Sequence, residues 1–164
     1  MAKIFWLLPG CVAGRAGPNR EPWTYAELQQ AGVRAVLSVN DGELCHAGDL
    51  SRHGLAYTCL PLSPNAPPRR GDLEHCLKVL PETYEFVQAQ LAEDRPVLIH
   101  CTSGKDRTCL ALGYFLMRHE GLQAAEAMVR VLAVRPVAFS AEGWAEFALE
   151  VLNASRVQLQ VMRA

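Results

Sequence analysis

The most informative part of the sequence is residues 97–117, which read VLIHCTSGKDRTCLALGYFLM. The short run Val97–Ile99 is wholly apolar, and it predicts a buried strand. Residues 109–117 are apolar on nearly every side, which is typical of a helix buried at the centre of a domain. The polar residues between them therefore form a tight loop at a helix N-terminus. There, backbone N–H groups converge with the positive end of the helix dipole.

This loop carries the residue types that bind and transfer a phosphoryl group. A nest of backbone N–H groups binds a tetrahedral oxyanion, and it favours the thiolate form of a cysteine placed at its centre. Cys101 stands six residues before Arg107, whose guanidinium can donate two parallel hydrogen bonds to two phosphate oxygens. The hydroxyl of Thr108 can donate to the thiolate and stabilise it as a leaving group. We therefore predict a nucleophilic cysteine in a phosphate-binding loop.

Two other interpretations are a buried cysteine with an unrelated surface arginine, and a nucleotide-binding phosphate loop. A His-Cys pair with Arg six residues after the Cys and then Ser or Thr is expected by chance in roughly one of a thousand sequences of this composition. This disfavours the first interpretation. Gly104-Lys105 resembles part of a nucleotide-binding loop, but Ile99 stands where that loop needs its first Gly. Asp106 also replaces the hydroxyl that binds magnesium.

The rest of the chain alternates strand-like and helix-like segments. Short apolar runs bounded by Gly, Pro, Asn or Asp predict strands, and apolar residues at every third or fourth position predict helices. The predicted strands are Ile4–Leu8, Val33–Val39, Leu55–Leu62 and Val97–Ile99, and the predicted helices are Glu21–Ala31, Cys45–His53, Asp72–Leu91, Cys109–Met117, Gln123–Ala133 and Ser140–Leu152. This order predicts an α/β fold with one mainly parallel sheet of four or five strands flanked by helices.

The region before and inside the long predicted helix has two notable features. Residues 63–71 contain three prolines and no periodicity, so we predict a loop there. Asp72 is a plausible N-cap of the helix that follows. Pro81 lies inside the apolar stripe of that helix, and we expect it to kink the helix or to divide it in two.

The composition indicates a globular protein with no strong charge bias. A chain of 164 residues suits one domain, residues 1–164. Its 16 basic and 17 acidic residues give no reason to expect nucleic acid or an anionic membrane as a partner. No apolar stretch approaches the ~20 residues of a membrane span, and the N-terminal apolar run is too short for a signal peptide. We therefore expect a cytoplasmic protein without stable membrane insertion, and a monomer.

The six cysteines do not follow the spacing of a zinc site. They occupy positions 11, 45, 59, 76, 101 and 109, and no two of them form a Cys-x-x-Cys motif. With no secretion signal, we expect reduced thiols rather than disulfides. We expect no metal and no other cofactor.

The segment His100–Thr108 has the form His-Cys-x5-Arg-Thr, the signature of the cysteine-dependent protein tyrosine phosphatase superfamily. The chain resembles the small dual-specificity branch of that superfamily. Leu8–Gly14 is similar to the N-terminal segment of bacterial members, residues 28–38 to their helix and strand, and Val134–Pro136 with Phe147 to the segment that packs behind the loop. The Gly-Lys-Asp-Arg variant of the signature is similar to that of bacterial tyrosine and phosphoinositide phosphatases.

The resemblance implies hydrolysis of a phosphomonoester in two steps. Cys101 attacks phosphorus to form a phosphocysteine, while Arg107 and the loop bind the phosphate oxygens. An acid protonates the leaving oxygen and then, as a base, activates water. The loop residues assigned to substrate binding are His100, Thr102, Ser103, Gly104 and Lys105. The implied substrate is a phosphorylated protein or a phosphoinositide.

The sequence departs from the family at the general acid. Members carry an Asp on the loop after the third strand, but residues 60–67 contain none. We favour Asp106, which is proposed for this role in the Gly-Lys-Asp-Arg relatives, and keep Asp72 as the alternative. The other interpretation of Asp106 is a salt bridge to Arg107 or Lys105 that shapes the loop. If no acid is present, the chain is a phosphate-binding module without efficient turnover. Sulfur transfer or arsenate reduction would need further cysteines in an arrangement that we do not find.

Overall fold

The computed structural model describes residues 3–163, which contain five strands and six helices. The strands are β1 (Phe5–Leu8), β2 (Val12–Ala16), β3 (Ala35–Ser38), β4 (Ala56–Cys59) and β5 (Val97–Cys101). The helices are α1 (Tyr25–Gln30), α2 (Ala47–Arg52), α3 (Asp72–Ala92), α4 (Arg107–Glu120), α5 (Ala124–Val134) and α6 (Trp144–Arg163).

The strands form one sheet in the order β1-β2-β5-β3-β4. Strand β5 pairs in parallel with β2 on one side and with β3 on the other, so it lies at the centre. Strand β4 continues the parallel part beside β3, and β1 is antiparallel to β2. The predicted α/β fold with a mainly parallel sheet of four or five strands is confirmed.

The central strand is apolar because helices cover both faces of the sheet. Leu98 belongs to a smaller apolar cluster with Leu28 of α1 and Leu50 of α2. Val97 and Ile99 belong to the larger cluster, which is formed with α3, α4, α5 and α6. Successive side chains of a strand point to opposite faces, so burial on both faces requires the continuous apolar run that the sequence shows.

The parallel pairing also determines where the polar loops meet. Because β2, β3, β4 and β5 run in the same direction, the loops that follow them all leave from one edge of the sheet. Gly17 follows β2 at this edge, residues 39–42 follow β3, and residues 102–106 follow β5. In open α/β sheets this edge is the usual place for a ligand.

The sequence pattern does not predict strand β2. Gly14 is a poor strand former and Arg15 is charged, so the segment shows no strand-like alternation. Arg15 is nevertheless buried, because its guanidinium lies over the ring of Trp23 and donates a hydrogen bond to the carbonyl of Glu21. Pairing with β1 on one side and β5 on the other makes this segment a strand.

Helix α3 continues past Pro81, so of the two outcomes expected there, a kink or a division, the division is wrong. The helix runs without interruption from Asp72 to Ala92, with Pro81 in its interior. Leu80 and Val87, on either side of the proline, are both buried in the larger cluster. Packing of both halves against the same core outweighs the one backbone hydrogen bond that a proline removes.

The three C-terminal helices lie where the sequence predicts them, but their ends differ from the predicted ones. Every residue from Cys109 to Met117 in α4 is buried, as expected. Helix α6 begins at Trp144, four residues after the predicted start at Ser140, and continues to Arg163, well beyond the predicted end at Leu152. Within residues 3–163, none of the helices combines the length and hydrophobicity that a membrane-crossing segment needs.

We expect Leu152→Ala to lower the free energy of unfolding by about 2–5 kcal/mol, as leucine truncation does in other cores. Leu152 is fully buried in α6, and one of its methyl groups lies 3.4 Å from the position that a Cβ on Gly113 of α4 would take. Leu149 on the same helix is 38% exposed, so Leu149→Ala is the matched control, with an expected loss below about 1 kcal/mol. Urea denaturation followed by circular dichroism measures both. Equal losses would contradict this packing.

Candidate active site

The loop of residues 102–106 connects the central strand β5 to the buried helix α4. Cys101 is the last residue of β5, and its side chain is buried. Arg107 is the first residue of α4, a helix of 14 residues. The first four N–H groups of a helix have no partner within the helix, so this end attracts an anion. The structure thus places Cys101 and Arg107 on either side of one tight loop.

The first two carbonyl groups of this segment are bound by donors from the sheet edge. The Cys101 carbonyl accepts a hydrogen bond from Nδ1 of His100 at 3.0 Å. The Thr102 carbonyl accepts one from the backbone N–H of Gly17 at 3.0 Å. Both carbonyls are therefore directed away from the centre of the loop.

The next three carbonyl groups are bound by the segment that follows α5. The side chain of Arg135 donates to the carbonyls of Ser103 and Gly104, at 2.9 and 3.1 Å. The backbone N–H of Phe139 donates to the carbonyl of Lys105 at 3.0 Å. Residues 135–139 thus contact three consecutive peptide groups of the loop from outside.

This outward pairing leaves the amides of the loop available to a ligand. In a trans peptide the carbonyl and the N–H of the next residue point in opposite directions, so a carbonyl held outward turns that N–H inward. Within the described part of the chain, none of the N–H groups of residues 102–106 donates to a protein acceptor. A ring of unpaired N–H groups at a helix N-terminus is an anion-binding nest.

Gly104 is required by the path of the loop. Its φ is +65°, a conformation that residues with a Cβ rarely adopt. A Cβ at this position would also lie 2.5 Å from the carbonyl carbon of Arg15 and 2.7 Å from the nitrogen of Ala16. Since these are backbone atoms of β2, they cannot move aside, and only glycine fits.

Arg107 is oriented by two contacts that leave part of its guanidinium free. Its Nε donates to the carbonyl of Ser63 at 2.6 Å, and its guanidinium lies over the ring of Trp144 at 5.0 Å. The indole N–H of Trp144 donates in turn to the carbonyl of Asn65 at 2.9 Å. The loop of residues 63–71 therefore forms a wall of the site and positions the arginine. The terminal nitrogens of Arg107 are the groups that can bind phosphate oxygens bidentately.

The two candidate acids occupy different environments. Asp106 is buried in the loop, where one carboxylate oxygen accepts a hydrogen bond from the N–H of Ala141 at 3.3 Å. Within residues 3–163 it forms no ion pair with Lys105 or Arg107, so the salt bridge considered for it is absent there. Its second oxygen makes no hydrogen bond to the same described residues.

Asp72 is held by hydrogen bonds from the loop that precedes α3. Both of its oxygens accept from the side-chain amide of Asn65 at 3.1 Å, and one also accepts from the N–H of Arg69 at 2.6 Å. Burial acts to raise the pKa of Asp72, but these hydrogen bonds and the charge of Arg69 outweigh it and lower the pKa. The helix N-cap is Gly71, so the predicted capping role of Asp72 is wrong. The carboxylate instead ties together residues 65–72.

The other predicted site residues lie in or below the loop. The Thr108 hydroxyl is buried and has no hydrogen-bond partner within the described residues. Thr102, Ser103 and Lys105 are partly exposed at the mouth of the loop. Below it, burial raises the pKa of Cys109, whose thiol donates to the Gly104 carbonyl at 3.7 Å. Among the described residues, no group of three or more His, Cys, Asp or Glu side chains is placed to hold a metal ion.

The structure also reveals residues that sequence reasoning missed. Arg135 is part of the segment quoted for the family resemblance, but no sequence pattern indicates that it binds loop carbonyls. Phe139 adopts φ of +60°, which is unusual for a bulky residue and directs its N–H to the loop. Ser63 and Trp144 contact Arg107 from two distant parts of the chain. These contacts depend on tertiary structure, so they leave no local signal.

Comparison with known proteins agrees with this geometry. The family described as Swiss Army Knife protein, DSP-PTPase phosphatase domain, matches residues 1–155. Dual specificity protein phosphatase 12 of Homo sapiens is 28% identical over 162 residues, which are 99% of this chain and 45% of that protein. The Mus musculus protein of the same name is 28% identical over 95% of this chain and 43% of its own length. The chain therefore spans less than half the length of these relatives.

Solved structures show the same fold at low sequence identity. PTPMT1 in complex with PI(5)P superposes with a TM-score of 0.76 at 18% identity, over 94% of this chain and 96% of that one. Tk-PTP in the active form gives a TM-score of 0.70 at 24% identity, over 92% and 96% of the two chains. Because the family match covers almost the whole chain, the predicted membership of the cysteine-dependent protein tyrosine phosphatase superfamily is confirmed. The chain belongs to the DSP-PTPase phosphatase domain family of Swiss Army Knife proteins, within the cysteine-dependent protein tyrosine phosphatase superfamily.

Proposed function

We propose that this protein is a phosphomonoester hydrolase of the tyrosine and dual-specificity type that works through a phosphocysteine at Cys101. The observation that carries the proposal is the outward pairing of the loop carbonyls, which turns the amides of residues 102–106 toward one centre. The same centre adjoins the Cys101 side chain and the start of α4. A thiolate nucleophile and a nest for a tetrahedral anion are the two parts that this chemistry needs.

In the first step the Cys101 thiolate attacks phosphorus, and the bond from phosphorus to the leaving oxygen breaks. Arg107 donates two hydrogen bonds to equatorial oxygens, and the loop amides bind the remaining negative charge. The leaving oxygen takes a proton from the carboxylic acid of Asp106, so the alcohol or phenol departs neutral. The product bound to the protein is a phosphocysteine.

In the second step water displaces the Cys101 sulfur from phosphorus. The Asp106 carboxylate accepts a proton from this water, which returns the acid to its starting form and releases inorganic phosphate. The Thr108 hydroxyl, buried without a partner within the described residues, donates to the departing thiolate. The loop amides and Arg107 provide the charge stabilisation in both steps.

We assign the acid to Asp106 rather than Asp72 because of their hydrogen bonds. Asp72 accepts three hydrogen bonds from Asn65 and Arg69, and these favour its charged form. A carboxylate fixed in this way is a poor proton donor. Asp106 lies within the loop itself, and among residues 3–163 its carboxylate accepts one hydrogen bond, from the N–H of Ala141.

The substrate that we propose is a phosphorylated protein, with a phosphoinositide as the second candidate. The second rests on Lys105, a partly exposed cation in the loop whose side chain forms no ion pair within residues 3–163. A lipid with several phosphates would present an anion to it. The neighbour PTPMT1 is described in complex with PI(5)P, which also favours this candidate. A cytoplasmic location, as expected from the sequence, would keep Cys101 reduced.

We expect the wild-type protein to hydrolyse p-nitrophenyl phosphate in the presence of a chelator, and Cys101→Ser to abolish turnover. Serine keeps the size of the side chain but is a far weaker nucleophile at neutral pH. Absorbance of p-nitrophenolate measures the rate, and circular dichroism confirms that the variant is folded. A folded wild type without turnover between about pH 5 and 7 would favour a phosphate-binding module without catalysis.

We expect Asp106→Asn to lower kcat by about 10²–10⁴-fold for a phosphoserine peptide, the usual contribution of a general acid. The loss should be smaller for p-nitrophenyl phosphate, because its leaving group needs less protonation. Asp72→Asn is the matched control, and it should leave the ratio of the kcat values for the two substrates unchanged. If instead Asp72→Asn changes this ratio and Asp106→Asn does not, the acid is Asp72.

We expect Arg135→Lys to lower kcat/KM by at least about tenfold, because lysine cannot bridge the Ser103 and Gly104 carbonyls with two hydrogen bonds of net value about 0.5–1.5 kcal/mol each. Arg130→Lys in α5, the helix that ends just before Arg135, is the matched control, since Arg130 pairs with Glu120 on the surface. Steady-state kinetics with p-nitrophenyl phosphate measure both. Equal activity of the two variants would show that the contacts of Arg135 do not matter for the loop.

A further inference from the structure

We propose that Ser38 and Tyr57 are positioning residues that orient the phosphate-binding loop through His100. Neither residue belongs to the signature, and within residues 3–163 neither forms a hydrogen bond to residues 102–106. The inference rests on the proposed function, because the loop that they orient is the one assigned there to phosphate.

The three side chains form a chain of hydrogen bonds that ends on the carbonyl of the nucleophile. The Tyr57 hydroxyl lies 2.7 Å from Oγ of Ser38, and that Oγ lies 2.6 Å from Nε2 of His100. On the other side of the imidazole ring, Nδ1 lies 3.0 Å from the carbonyl oxygen of Cys101. The chain thus runs from β4 through β3 to the end of β5.

The carbonyl oxygen of Cys101 determines the donor and the acceptor of every hydrogen bond in this series. A carbonyl oxygen can only accept, so Nδ1 of His100 carries a proton. Burial lowers the pKa of His100 to about 4, although its hydrogen bond to the Cys101 carbonyl opposes the shift, so the ring is neutral and Nε2 accepts. Ser38 must then donate to Nε2, and its oxygen accepts the proton of Tyr57.

This direction matters because the two tautomers of His100 act oppositely on the loop. With the proton on Nδ1, the ring attracts the Cys101 carbonyl outward, and the N–H of Thr102 then points toward the anion site. With the proton on Nε2, the Nδ1 lone pair would face that carbonyl and repel it. Ser38 opposes the second tautomer, because its hydroxyl accepts from Tyr57 and donates to Nε2, which the Cys45 thiol also faces at 3.6 Å.

The residues around these three side chains leave room for them and bury them. A Cβ on Gly42 would lie 2.9 Å from the Tyr57 hydroxyl and 3.2 Å from Cβ of Ser38, so glycine leaves the room that they need. Ser38 and His100 are fully buried, and the ring of Trp23 packs perpendicular to the imidazole with the two ring centroids 5.0 Å apart. Polar side chains buried among apolar ones cost stability unless they are paired, and here each has a partner.

The first test is the tautomer itself, measured by nitrogen chemical shifts of the histidine rings in two-dimensional NMR. We expect His100 to be protonated at Nδ1 in the wild type, and a large fraction to be protonated at Nε2 in Ser38→Ala. Tyr57→Phe removes one oxygen, and we expect it to raise the fraction of His100 protonated at Nε2 less than Ser38→Ala does. An unchanged Nδ1 tautomer in both variants would overturn the proposal. If Ser38→Ala does not fold, Tyr57→Phe decides the question alone.

The second test is kinetic and uses a buried serine without a partner as its control. We expect Ser38→Ala to lower kcat/KM for p-nitrophenyl phosphate about tenfold and Tyr57→Phe a few-fold, whereas Ser155→Ala should change it less than twofold. The Ser155 hydroxyl is buried in α6 with no partner within residues 3–163. The double variant of Ser38 and Tyr57 should be no worse than Ser38→Ala, because both act through one hydrogen bond to His100. If the losses in kcat/KM of the two single variants add up in the double variant, the two residues do not act through one connected series of hydrogen bonds.

These measurements separate failure of this inference from failure of the proposed function. The tautomer and the binding of inorganic phosphate, followed by the amide shifts of residues 102–106, do not require turnover. If the wild type binds phosphate without hydrolysing it, weaker phosphate binding by Ser38→Ala still supports the positioning role. If phosphate binding and the tautomer are both unchanged in Ser38→Ala, the inference is wrong whether or not the protein is an enzyme.

Discussion

A trans peptide cannot direct its carbonyl and the following N–H to the same side, and this constraint governs the loop between β5 and α4. The loop can surround an anion with N–H groups only if each carbonyl from Cys101 to Lys105 is bound from outside. Five donors meet this requirement: Nδ1 of His100, the N–H of Gly17, two nitrogens of Arg135 and the N–H of Phe139. The sheet edge and the segment after α5 supply these donors.

The same arrangement explains why distant parts of the chain converge on the loop. Strand β2 runs beside β5, and its continuation at Gly17 extends the pairing by one more hydrogen bond. Helix α5 ends beside the loop, so Arg135 and Phe139 reach three of its carbonyls. Trp144 at the start of α6 completes the site by supporting the guanidinium of Arg107. The site is therefore built by the fold rather than by the signature alone.

The sequence predicts the residues that carry the chemistry of this site better than the residues that hold the loop in place. Residues 97–117 carry strong local signals: an apolar strand, a rare signature and a fully apolar helix. Strand β2 lacks such a signal, because Gly14 and Arg15 break its pattern. The roles of Arg135, Ser38 and Tyr57 depend on which carbonyl or ring nitrogen they face, and only the folded chain determines this.

Pro81 and Asp72 both depart from the local rule that their residue types follow in most helices. A proline inside a helix removes one hydrogen bond, but α3 is buried on both sides of it and stays continuous. An aspartate before an apolar run usually caps a helix, yet Asp72 turns to Asn65 and Arg69 and organises the preceding loop. At Pro81 the deciding contacts are those with the apolar core, and at Asp72 they are those with the loop just before α3.

The remote origin of the loop donors has a thermodynamic consequence. Gly17 lies more than 80 positions from the loop, about half the length of the chain, and Arg135 and Phe139 lie about 30 positions beyond it. In the unfolded chain these donors are dispersed, so the nest does not exist there. Affinity for an oxyanion belongs to the native state alone, and a bound anion at one hundred times its dissociation constant adds about 2.7 kcal/mol to the stability of the fold. Anion binding to the loop and folding of the protein are therefore thermodynamically coupled.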